Sequence, residues 1–160
     1  MSSIASFIRL PKSAVAGLRD AAVPQKRIFG GLKDTFHDFI EKNGEEVASY
    51  DWSGYVLATL LPYLDEQGIN IMKSEHDELS RFLSEKRQST CFILTISQKE
   101  KYVGRLEAAS FSVDALRDYF NEFNATKESE IGEAMLDGIT CIRESLESID
   151  DSSIVLLEIG

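Results

Sequence analysis

The stretch Ser153-Ile154-Val155-Leu156-Leu157-Glu158-Ile159 decides more of the architecture than any other part of this chain. Its apolar residues follow one another almost without a break. A strand built from them offers no face suited to water, and it reads as an interior strand entered through the turn Asp150-Asp151-Ser152. Thr90 to Ile96 has the same character and reads as a second strand buried on both faces. Residues 3–10 alternate loosely, with Ile4, Phe7 and Ile8 apolar, and end at Pro11, which suits an opening strand. Gly68-Ile-Asn-Ile-Met72 reads as a short strand over 69–72 or an extended link.

Between these runs the apolar spacing turns helical. Val15, Leu18 and Ala22 follow Pro11 at three- and four-residue steps and stop at Pro24. From Lys26, the residues Ile28, Phe29, Leu32, Phe36, Phe39 and Ile40 form one helical face that closes near Asn43-Gly44, although Gly30-Gly31 allows the regular part to begin only at Leu32. Asp51 is placed to cap a helix through Tyr55, Val56, Leu57, Leu60, Leu61 and Leu64, with Pro62 expected to kink or end it. Ser74 and Asp77 have the spacing of a capping box for a helix through Leu79, Phe82 and Leu83. Ser97 is placed to start a helix carrying Tyr102, Val103 and Leu106, and Ser112 to cap one carrying Val113, Leu116, Tyr119, Phe120 and Phe123. Ile131, Ala134, Met135, Gly138, Ile139, Ile142, Leu146 and Ile149 define a longer helix over 129–149. No repeat, linker or low-complexity segment interrupts the 160 residues, and strands and helices alternate irregularly. The expectation is one α+β domain over 1–160, with a small mixed sheet covered by several helices.

Charge is distributed unevenly. The net charge is −10, yet residues 1–50 carry +1, residues 51–106 carry −1 and residues 107–160 carry −10. A field of one sign attracts basic partners and repels phosphate before contact. Nucleic-acid binding is not expected, because no basic stripe is present to neutralise phosphates. No apolar run approaches the roughly 20 residues that span a bilayer, and the N-terminus lacks a secretory signal pattern. The chain reads as cytoplasmic and soluble, with no membrane association. Its two cysteines, Cys91 and Cys141, lie in apolar runs and read as structural thiols.

Four stretches together resemble the YfbM-like family of uncharacterised bacterial proteins. They are Ser2-Ser-Ile-Ala-Ser-Phe-Ile-Arg-Leu-Pro-Lys-Ser13, Asp51-Trp-Ser-Gly-Tyr-Val-Leu-Ala-Thr-Leu-Leu61, Leu94-Thr-Ile-Ser-Gln-Lys-Glu100 leading through Leu106-Glu107 to Leu116-Arg-Asp-Tyr-Phe120, and Ser153-Ile-Val-Leu-Leu-Glu-Ile159. They cover about half the chain in the family's order, and the segment from Glu66 to Arg87 lies outside the shared pattern. The resemblance implies an α+β domain of bacterial origin and supplies no site residues.

Two constellations carry candidate function. Asp34, His37, Asp38 and Glu41 recur at helical spacing and would bring carboxylates and an imidazole near one cation, the basis of an alternative reading as a small hydrolase or metal-dependent enzyme. Against it, a solvated helix shows the same polar stripe, and no second Glu-x-x-His helix, Gly-x-Ser-x-Gly elbow or phosphate-binding loop is present. His76 has no nucleophile partner in sequence, and no metal or cofactor is expected. The second constellation is the acidic third itself. Asp114, Asp118 and Glu122 in one helix, and Glu130, Glu133, Asp137 and Glu144 in or beside the next, occupy the faces left free by the apolar stripes. A solvated surface explains them, and so does a docking face for a basic protein, for example the toxin bound by an immunity protein. That non-enzymatic interaction module is the leading expectation. Trp52 and Tyr55 would anchor such an interface if exposed, but the apolar run after them places them in the core.

Overall fold

The computed structural model describes residues 3–26 and 29–160. Strands β1 (Ala5–Pro11), β4 (Glu45–Ser49), β5 (Thr90–Leu94) and β6 (Ser153–Ile159) form one sheet in the order β4-β1-β6-β5, and a short hairpin pairs β2 (Gln25–Lys26) with β3 (Leu32–Lys33). The helices are α1 (Val15–Ala21), α2 (Phe36–Asn43), α3 (Gly54–Glu66), α4 (Asp77–Arg87), α5 (Ile96–Tyr102), α6 (Val113–Asn124) and α7 (Ile131–Glu147). The α+β class stands. The sheet is antiparallel rather than mixed, because β6 lies between β1 and β5 and runs opposite to both.

β6 is the interior strand that its composition demands. Val155, Leu157 and Ile159 belong to a core shared with α3, α6 and α7, whereas Ile154 and Leu156 belong to a second core shared with α1, α2 and α4. Adjacent residues of a strand point to opposite faces, so helices are required on both sides of the sheet. β5 divides likewise, with Leu94 in the first core and Cys91 and Ile93 in the second. β4 has no counterpart in the sequence reading. Its residues Glu45, Glu46 and Ser49 are exposed and only Ala48 is buried, as suits an edge strand whose charges discourage further pairing.

Further expectations are corrected. Residues 69–72 form no strand. Ile69 and Ile71 are buried, but the segment is held by the buried Gln98, whose Nε2 donates to the Ile71 and Lys73 carbonyls at 3.1 and 3.0 Å while Oε1 accepts the Thr95 N–H at 2.8 Å. The helix expected from residue 26 or 32 begins only at Phe36, because Gly30 and Gly31 adopt φ of +99° and +93° and turn the chain between β2 and β3. Phe29, assigned to the helix's apolar face, is 90% exposed at that turn, and Ile28 lies outside the described residues. The helix expected to kink or end at Pro62 does not end there and runs on to Glu66, where Arg105 donates to the Gln67 and Gly68 carbonyls beyond its last turn. Its cap is Ser53 rather than Asp51, accepting the Tyr55 N–H at 3.3 Å.

α7 is seated by two glycines. A Cβ at Gly138 would meet Leu60 Cδ2 at 2.8 Å and Leu57 Cδ1 at 3.0 Å, and a Cβ at Gly132 would land on the Val113 carbonyl oxygen. Gly132→Ala therefore forces α6 and α7 apart and is expected to cost about 1–3 kcal/mol in urea unfolding. Gln98→Leu strips buried carbonyls of their donor and is expected to cost a further amount of about 1–3 kcal/mol, read in the same experiment.

Candidate functional site

Ten of the seventeen residues of α7 are buried, so its charged side chains are confined to a narrow edge. The exposed positions are Glu133, Asp137, Thr140, Glu144 and Glu147, spaced four, three, four and three residues apart. At 1.5 Å per residue they form a straight ridge about 21 Å long. The sequence marked these carboxylates as solvent-facing. Their alignment follows from the packing of α6, α3 and β4 around the rest of the helix.

The ridge is not uniformly charged. Arg143 pairs with Glu107 at 2.8 Å and with Glu147 at 3.1 Å, and Lys99 Nζ donates to the Glu147 and Ile149 carbonyls at 3.2 and 2.6 Å. Lys99 satisfies carbonyls at the C-terminal end of α7, and both cations complement its dipole. Glu133, Asp137 and Glu144 form no ion pair among the described residues. Negative potential is therefore concentrated on the N-terminal and middle turns.

The middle of the ridge forms one wall of a cleft of about 210 Å³, lined by Ser49, Tyr50, Asp51, Trp52, Asp137, Thr140, Cys141 and Glu144. Trp52 is not in the core. It is 37% exposed, and its indole N–H donates to Asp137 Oδ2 at 2.7 Å. Tyr55 is also exposed. Both precede or open α3, before its buried stripe of Val56, Leu57, Leu60, Leu61 and Leu64 begins. The cleft floor is rigid, because the Tyr50 hydroxyl donates to the Ala134 carbonyl at 2.8 Å and the Cys141 thiol to the Ser49 carbonyl at 3.3 Å. The Cys141 thiol is pushed up to about 11 by burial, and by the charges of Glu144, Asp137 and Asp51. Tyr50 is raised too, first by burial and then by Cys141 and Asp137. Three carboxylates, one indole and no lining cation give the cleft a negative lining with one aromatic wall.

The seven acids singled out in the sequence thus separate. Glu133, Asp137 and Glu144 share the ridge, with Glu130 at the N-cap of α7. Asp114 and Asp118 are bridged within α6 by Arg117 at 3.1 and 3.0 Å. Glu122 lies instead beside Glu66, Tyr119 and Phe123. Asp51 and Trp52 were missed as site residues because the partners that define them, Asp137 and Glu144, lie more than eighty positions away.

Of the Asp34, His37, Asp38 and Glu41 set, the last three lie exposed on α2, and Asp34 lies outside the helix. Asp34 precedes α2, where it accepts the Phe36 N–H at 3.0 Å and pairs with Arg87 at 3.0 Å, a contact that holds its carboxyl below the usual range. Arg87 in turn stacks on Phe36 and approaches Glu158. Among the described residues no group of three or more His, Cys, Asp or Glu side chains is arranged to hold a metal ion. No helix among them is long and apolar enough to cross a membrane.

Comparison with protein-family models, with curated proteins and with solved structures finds no match to this chain.

Cys91 and Cys141 are buried and free, and burial is the leading cause that pushes each to about 11. Both are expected to resist a thiol reagent at pH 8 until the protein is denatured. Their folded pKa values exceed the unfolded ones, so the stability they contribute is complete below about pH 9 and lost as pH rises towards 11. Denaturant midpoints measured across that window are expected to fall, and to fall less in a Cys91→Ala, Cys141→Ala double variant.

Proposed function

We propose that this chain is a non-enzymatic bacterial interaction module that binds a basic protein through the acidic ridge of α7 and the adjoining Asp51/Trp52 cleft. An immunity protein that neutralises a basic toxin is a concrete instance. The resemblance to the YfbM-like family belongs to this proposal and contributes no site residue. One observation carries the reading. Glu133, Asp137 and Glu144 lie in line without ion-pair partners among the described residues, beside an exposed indole and above a rigid floor. The packing of α7 sets this alignment, and a docking face gains encounter rate and selectivity from it. The indole adds an aromatic anchor of the kind on which interface energy concentrates. Asp114 and Asp118, tied to Arg117, contribute to the long-range field rather than to direct contact.

Immobilised protein incubated with extract of the source cell at low and at high salt provides the test. A lysine- and arginine-rich protein is expected to be retained at low salt and released at high salt. Purified and titrated, it should bind the E133Q/D137N/E144Q variant at least about tenfold more weakly, since close interfacial charge pairs couple by about 1.5 kcal/mol or more. Binding that ignores both salt and the triple substitution refutes the proposal.

A further inference from the structure

A second surface feature lies away from the cleft, on the outer side of α3 and α6. These helices run antiparallel: Tyr55 at the start of α3 donates to Asn124 Oδ1 at the end of α6 at 2.8 Å, while Tyr63 near the end of α3 meets the Tyr119 ring edge-on at 5.0 Å. One turn along α6, Phe123 stacks on Tyr119 at 5.8 Å with the rings 23° apart. Phe123 is 58% exposed, and the core side of α6 is already served by the buried Leu116 and Phe120. Glu66 and Glu122 flank the rings and, with Tyr119 and Phe123, line a surface cavity of about 360 Å³; Glu66 Oε1 accepts the Tyr119 hydroxyl at 3.4 Å.

A lone exposed aromatic residue calls for no explanation, but two stacked rings lining a cavity with two carboxylates, the inner ring backed by Tyr63, have a chemical counterpart. A guanidinium is a planar, weakly hydrated cation that stacks on aromatic faces and forks to carboxylates, whereas an ammonium is a compact, strongly hydrated point charge. A second copy of this chain is a poor occupant, because it brings the same −10 charge and the same glutamates to the contact. We infer that the cavity lined by Glu66, Tyr119, Glu122 and Phe123 is a socket for an arginine side chain of the basic partner. This inference rests on the function proposed above and adds a preference for arginine over lysine.

The test uses the full chain and two probes, hexa-arginine and hexa-lysine, in calorimetric and NMR titrations at low salt. Hexa-arginine is expected to bind about fivefold more tightly, as one partly desolvated cation–π contact allows, and to shift the Tyr119 and Phe123 ring resonances. Phe123→Ala, at an exposed position, is expected to abolish the preference and leave hexa-lysine binding unchanged, and E66Q/E122Q to reduce it. Equal affinities, unmoved ring resonances, or a preference that survives Phe123→Ala overturn the socket. If the two peptides bind equally and both are weakened by E133Q/D137N/E144Q, the socket fails and the acidic ridge stands. If neither peptide binds, both fail.

Discussion

Strand β6 has water on neither side, and that double burial constrains the rest of the molecule. Its residues alternate between two cores, so the sheet must be covered by helices on both faces. α1, α2 and α4 close one side and α3, α6 and α7 help close the other. The first and last strands are neighbours across the full length of β1, from Ala5 opposite Ile159 to Pro11 opposite Ser153. The sheet therefore joins the two ends of the chain and depends on contacts of the greatest sequence separation.

The same constraint shapes the charged surface. A helix packed on most of its circumference has few positions left for polar side chains, and on α7 those positions fall in line. Thirteen carboxylates in the last third of the chain could have been dispersed. Instead Arg117, Arg143 and Arg87 neutralise those near them, and Glu133, Asp137 and Glu144, which form no ion pair among the described residues, stand in line on α7. Close packing at Gly132 and Gly138 sets the rotation of α7 and so the direction in which that ridge points. Fold and electrostatics are coupled through those two glycines.

Where the sequence misled, a local pattern met a remote partner. Residues 69–72 alternate like a strand, but the Asn70 and Ile71 carbonyls accept from Gln98 rather than from a neighbouring strand. The apolar spacing before α2 runs on through Gly30-Gly31, yet two consecutive positive φ angles cannot belong to a right-handed helix. Glu45-Glu-Val-Ala-Ser49 is too polar to announce a strand and becomes one because the edge of β1 is available to it. Trp52 and Tyr55 adjoin an apolar run without sharing its buried face, and their polar atoms find Asp137 and Asn124 instead.

From the residues alone follow the α+β class, the interior character of β5 and β6, the long amphipathic helix and the acidic last third. Each rests on periodicity or composition within a few turns of chain, which local stereochemistry and hydrophobic burial make legible. Tertiary structure decided the strand order, which carboxylates are paired, and the meeting of Asp51 and Trp52 with Asp137 and Glu144. Those outcomes depend on distances between residues far apart in sequence, and only the packing of helices on both faces of β6 sets them.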